Sequence, residues 1–176
     1  MKNTSHLFQK ILYTLLGHVS YLFKDYKRGI KYFQKCLELR KKKHIDSLYD
    51  YDIGFGFYHL KNFKSAVIHF EKYINRKPDD LRALFYLGVS YSQLALTSVT
   101  DAEEKFRLLT TAEIYIERTK SYFAPNNWGF YVTLGIIKKL LGKRDEARAC
   151  YLKALAIEPK AQMAKDRLAE LEADAR

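Results

Sequence analysis

Four hydrophobic–glycine pairs recur along the chain, at Leu16-Gly17, Ile53-Gly54, Leu87-Gly88 and Leu134-Gly135, and they constrain the fold more than any other feature. Each pair is followed by an amphipathic stretch and a short polar break. In three of the four, a small residue follows the glycine by 12 positions: Gly29, Ala66 and Ala147. An aromatic stands four positions further on, at Phe33, Phe70 and Tyr151. Two repeats close with proline, Pro78 and Pro159, each 24 positions after its glycine, and Gly54 to Gly88 is a step of 34. Spacing of this kind describes paired helices. A glycine on the first helix lets the second approach closely, the small residue does the same from the opposite side, and the aromatic fills the gap beside them. Proline ends the repeat because it cannot continue a helix interior.

The third repeat departs from the pattern, since Gly88 to Gly135 spans 47 positions, 13 more than 34. A helix over 81–96 is expected to break at 97–100. Thr100 with Glu103 has the form of a capping box that starts the next helix. Phe106, Leu109, Ala112, Ile116 and Thr119 then follow at helical spacing, with Ala112 as the small packing residue. The insertion is expected to lengthen the front of that second helix by about three turns. At the amino terminus, Phe8, Ile11, Leu12, Leu15, Val19, Leu22 and Phe23 recur at three- and four-residue steps, the stripe of an amphipathic helix rather than an all-round apolar signal segment. After Pro159, Ala161, Ala164, Leu168 and Leu171 share one helical face.

These residues resemble the tetratricopeptide-repeat family, whose helix–turn–helix unit is 34 residues long. The fourth repeat is the nearest match, with Leu134, Gly135, Ala147, Tyr151, Ala154 and Pro159 in register. The first is the weakest, having Gly29 for alanine, Cys36 at a small-residue position and Lys41 for proline. The resemblance implies an all-α superhelical solenoid of four helix-turn-helix repeats, near 10–43, 47–80, 81–125 (insertion near 97–111) and 128–160. A capping helix over 161–174 completes a single domain of 1–176. It further implies a non-enzymatic protein–protein interaction module, an adaptor or assembly scaffold, that holds a partner peptide or helix in a groove lined by the first helices.

By position, that groove takes Thr14, His18 and Tyr21 from the first repeat and Val132, Ile136 and Lys139 from the fourth. The expected partner-binding residues are Tyr51, Phe55, Tyr58, His59, Arg82, Phe85 and Val89, with Ser92 and Gln93 beside them. Such a wall suits apolar or aromatic anchors of a protein or peptide, with Arg82 and His59 as polar groups able to meet an acidic one. Some family members clamp an acidic C-terminus with Lys, Asn and Arg. Here Thr14, His18, Asp52 and Tyr86 occupy those positions and only Arg82 fits, so the clamp mode is not expected.

Charge and composition bound the alternatives. The net charge of +11 is concentrated in residues 1–78, with 16 Lys and Arg against 6 Asp and Glu. The run Arg40, Lys41, Lys42, Lys43 is either a solvated connector or a dock for an anionic surface: an acidic protein, a membrane or, less in keeping with the sequence, RNA. A self-assembling homo-oligomer, with residues 2–23 of one copy in the groove of another, is the other alternative. No catalytic motif, cofactor loop or metal-ligand spacing occurs, and no run approaches the ~20 apolar residues of a membrane span. Cys36 and Cys150 read as free thiols, Cys36 in the core and Cys150 partly exposed, in keeping with a reducing, cytoplasmic setting.

Overall fold

A computed structural model describes residues 2–39 and 48–174. Among them are ten α-helices and no strand. The chain divides into two compact units, Met1–Tyr86 and Leu87–Arg176. The first holds α1 (Lys2–Leu22), α2 (Tyr26–Glu38), α3 (Leu48–His59), α4 (Phe63–Ile74) and the opening turns of α5 (Leu81–Thr97). The second holds the rest of α5, α6 (Ala102–Arg118), the single turn α7 (Lys120–Phe123), a 3₁₀ turn (Ala124–Asn126), α8 (Trp128–Leu140), α9 (Arg144–Ile157) and α10 (Gln162–Ala173).

The glycine–aromatic register is a steric fact of the packing. A Cβ added to Gly17 would stand 2.6 Å from the Phe33 ring, and one on Gly135 would stand 2.5 Å from the Tyr151 ring. Gly54 meets Phe70 in the same way, 16 positions on. Gly88 meets Ile116 and the Ala112 carbonyl, so an aliphatic side chain takes the aromatic's place in the third repeat. Ala66, Ala112 and Ala147 are all fully buried.

Three of the tight turns share one geometry. Lys24, Lys61 and Gly142 each follow the repeat's glycine by seven and have positive φ, at 60°, 57° and 77°. The following amide reaches back five residues: Asp25 to the Ser20 carbonyl, Asn62 to Phe57 and Lys143 to Lys138. This is the Schellman closure, which satisfies carbonyls at the helix end. Asp25 and Asn62 then cap the next helix by accepting from the Arg28 and Ser65 amides.

In the third repeat the inserted length is shared between two helices. α5 runs nine residues past Gly88, where α1, α3 and α8 run five past their glycines. α6 starts ten residues before Ala112, where the other second helices start three before their small residue. The extension therefore adds about one turn to the end of α5 and two to the front of α6, rather than three to α6 alone. The cap is also one residue later than the sequence suggests. Asp101, not Thr100, accepts from the Glu104 amide at 2.7 Å, because a carboxylate outcompetes a hydroxyl for that donor.

A buried ion network ties α6 to α8 in the second unit. Lys138 donates to Glu113 at 2.9 Å and to Glu146 at 2.6 Å, and lies 3.4 Å from Glu117. Lys143 donates to both Glu113 oxygens, at 2.9 and 2.7 Å. Burial would push the Glu113 carboxyl upward, but the two lysines hold it below its usual range. Burial likewise works against the charge on Lys138, yet the surrounding carboxylates raise it.

Candidate partner-binding site

The site is built on α3 and the first turns of α5, within the first unit. Tyr51, Phe55 and Tyr58 recur at helical steps along α3 and are half-buried, with His59 beside them and exposed. Tyr86 is the hub. Its ring lies 5.2 Å from Phe55 and 5.3 Å from Tyr58, both edge to face, and 6.0 Å from Phe70 and Phe85. Tyr51 stacks on Phe55 at 6.4 Å and meets Tyr73 at 5.4 Å. The Arg82 guanidinium sits 5.8 Å from the Tyr51 centroid, and its ion pair with Asp80 is loose, at 3.9 Å. The guanidinium therefore keeps donors free toward solvent.

On the α1 side the wall continues through Tyr21, 6.0 Å from Phe55, and Tyr26, stacked on His59 at 4.5 Å with planes 5° apart. Tyr21 is wedged by two glycines: a Cβ at Gly29 would strike its ring, and one at Gly56 its hydroxyl. That hydroxyl donates to the Asp52 carbonyl at 2.6 Å, which ties α1 to α3. Burial raises the Tyr51 phenol to about 12 and moves Tyr58 and Tyr86 upward, so these hydroxyls stay protonated at neutral pH. Loss of water between its ring neighbours lowers His59, which is therefore neutral there.

Asp52 is the unusual group. It is half-buried and receives no side-chain hydrogen bond or ion pair among the described residues. Burial lifts its carboxyl to about 6, opposed by the charge of His18. Asp50, two positions earlier on α3, is instead satisfied by His69 Nδ1 at 2.7 Å.

Not every expected residue lines an open face. Val89 is only 8% exposed and Val132 only 2%, so both are packing residues. Ser92 is buried and donates to the Val89 carbonyl. The reason is common to all three: a first helix inside a repeat stack is covered on two sides, and helical position alone does not say how far the cover reaches. Lys139 pairs with Asp174 at 2.8 Å and Ile136 is half-buried in the second unit. Thr14 turns inward to Tyr49 at 2.9 Å, whereas His18 stays exposed against Phe33. Cys36 and Cys150 are both buried, so Cys150 is not the partly exposed thiol its position suggested. Arg40, Lys41, Lys42 and Lys43 lie outside the described residues. Tyr86 is what sequence reasoning undervalues: it reads there only as a misfit for a clamp arginine, although its spacing of four from Arg82 already aligns it with the aromatic wall.

Stacked helix pairs with a ring-lined face define a helical-repeat protein of the kind that serves as a protein–protein interaction module. Two stretches of the chain read as tetratricopeptide repeats by sequence: the model described as tetratricopeptide repeat matches residues 12–43 and 129–160. A curated relative, the human protein O-mannosyl-transferase TMTC3, is 28% identical over 112 residues; the match covers 61% of this chain and only 12% of that protein's length. Among solved structures, MamA of Desulfovibrio magneticus RS-1 is similar with a TM-score of 0.79 at 15% identity, covering 95% of this chain and 85% of that one. A thermophilic TPR protein of Thermus thermophilus gives 0.67 at 22% identity, covering 94% and 82%. YrrB, described as a TPR protein with an unusual peptide-binding site, gives 0.68 at 19% identity, covering 88% and 71%. No helix among the described residues is long and apolar enough to cross a membrane.

Proposed function

We propose that this chain is a non-catalytic adaptor or assembly scaffold that grips a partner peptide or helix on the aromatic wall of α3 and the start of α5. The observation that carries this reading is the ring cluster around Tyr86. Tyr51, Phe55, Tyr58 and Phe85 are linked through it, yet each keeps part of its surface open. Rings held in fixed positions bind an apolar anchor with little loss of side-chain freedom. Arg82, with donors to spare over Tyr51, supports an acidic group next to that anchor. Two free, buried thiols fit a cytoplasmic setting.

Photo-crosslinking from inside cells tests the reading. A benzophenone amino acid at position 85 is expected to capture one discrete partner, and the same group at exposed Leu152 on α9 is not. Equal capture from both positions, or none from position 85, would overturn it.

Docking to an anionic surface is a second reading, and one feature of the described residues favours it. Lys27, Arg28, Lys31 and Lys35 line a cleft of about 360 Å³ on α2 with Asp25 and Tyr32. Steep loss of binding with added salt, abolished by replacing these four with Gln, would move the site there.

A further inference from the structure

One carboxylate beside the ring-lined wall goes unanswered among the described residues. Asp52 lies on α3, one turn before Phe55 and two turns before His59. At about 100° per residue it stands roughly 60° round the helix from Phe55 and 20° from His59, which puts it at the margin of the wall. That margin faces α1, where the Tyr21 hydroxyl reaches the same residue. The hydroxyl donates to the Asp52 backbone carbonyl, at 2.6 Å, and not to the carboxylate. The side chain is half-buried and takes no hydrogen bond or ion pair from any described residue. Asp50, by contrast, is met by His69 Nδ1 at 2.7 Å.

We propose that Asp52 receives a lysine or arginine side chain of the partner peptide, next to the apolar anchor and against the rings of Tyr21 and Phe55. The proposal rests on the reading of the wall as the partner site and adds the chemistry of a second contact. Charges taken out of water are paired in folded proteins, and an ionised carboxylate only accepts. The donors that Asp52 lacks therefore come from outside the chain. A cationic side chain brings them, cancels the charge, and is attracted by ring faces within about 6 Å. Tyr21 and Phe55 offer such rings, with centroids 6.0 Å apart.

The groups nearby leave that place to a partner. Arg82 lies over Tyr51 at 5.8 Å and pairs loosely with Asp80 at 3.9 Å. His18, exposed on α1, is the charge that acts on Asp52, and it does not offset the burial that lifts the carboxyl to about 6. The carboxylate is thus ionised at pH 7.5 and still in want of a counter-charge. A metal ion is not the expected occupant, since no three His, Cys, Asp or Glu side chains among the described residues are grouped to hold one. With Arg82 on α5 and Asp52 toward α1, the wall has opposite charges at its two borders. A peptide with a base before or after its anchor, and an acid on the other side, satisfies both. A strongly basic segment does not, because residues 1–78 are themselves positive.

Selection of a phage-displayed random peptide library on the full chain at pH 7.5 tests the proposal. The parent is expected to enrich peptides with Lys or Arg at a fixed distance from an aromatic or aliphatic anchor. Asp52→Asn should keep the anchor and lose the base, and Asp52→Lys should exchange the base for Asp or Glu. A synthetic peptide of the parent's enriched sequence should bind Asp52→Asn roughly 10- to 100-fold more weakly than the parent. With its base replaced by Gln, the peptide should bind the two proteins alike. Asp52→Asn removes a charge that burial opposes, so lost binding cannot come from a weakened fold, and circular dichroism checks this. Anchored peptides without a basic position, or with the same base on Asp52→Asn, would overturn the inference and leave the wall reading intact. No enrichment on the parent, or enrichment unchanged by Phe55→Ala and Phe85→Ala, would overturn the wall reading and the inference with it.

Discussion

Replacing Asp52 by Asn probes the most exceptional group on the wall. The Asp52 carboxyl is held at about 6 against an ordinary 3.8, because burial penalises its charge and no described side chain hydrogen-bonds to it. A difference of that size makes its ionised form cost on the order of 3 kcal/mol in the folded state, and access of water to a half-buried group reduces this to about 2 kcal/mol. The sign follows from linkage. The folded carboxyl binds its proton more tightly than the unfolded one, so the parent protein loses stability as pH rises from about 4 to 6 and then stays level. Asn cannot ionise and has no such loss. Asp52→Asn should therefore match the parent below pH 4 and exceed it by about 2 kcal/mol above pH 6. Urea unfolding followed by circular dichroism at pH 4 and pH 7.5 measures both ends. Equal stability of the two proteins at pH 7.5 would show that the carboxylate is well solvated and would refute the reasoning.

Two further substitutions test the packing. Lys138→Ala strips Glu113 of one of its two lysines inside the second unit and should cost about 3 kcal/mol, the low end for a broken buried pair because Lys143 remains; denaturant melts of the variant check this. Ala66→Trp inserts a large ring at a fully buried position of α4 and should cost at least about 1–3 kcal/mol, and a melting curve unchanged by it would contradict the helix register.

Sequence and structure agree where sterics act over short distances. Gly17, Gly54 and Gly135 each point to an aromatic 16 positions later because only that pairing lets two helices close on each other, and such a rule is written directly in residue types. The left-handed residues at Lys24 and Lys61 were hidden, since lysine does not advertise the conformation that Gly142 does. The Glu113 network joins residues 25 and 30 positions apart, and no local pattern encodes it. At α1 the periodicity marks which side is apolar but not whether anything covers it, and the stripe lies outside. On α3, Tyr51, Phe55 and Tyr58 fall on one side as their spacing indicates, whereas Val89 on α5 and Val132 on α8, spaced as plausibly, are buried.

The most direct measurement is calorimetric titration of the segment captured from position 85 against the parent and against Tyr51→Ala, Phe55→Ala and Phe85→Ala. Anchors in such a wall dominate affinity, so Phe55→Ala and Phe85→Ala should each weaken binding by about 2 kcal/mol or more, roughly 30-fold, with helicity intact. Unchanged affinity in all three folded variants would place the site elsewhere and contradict the account.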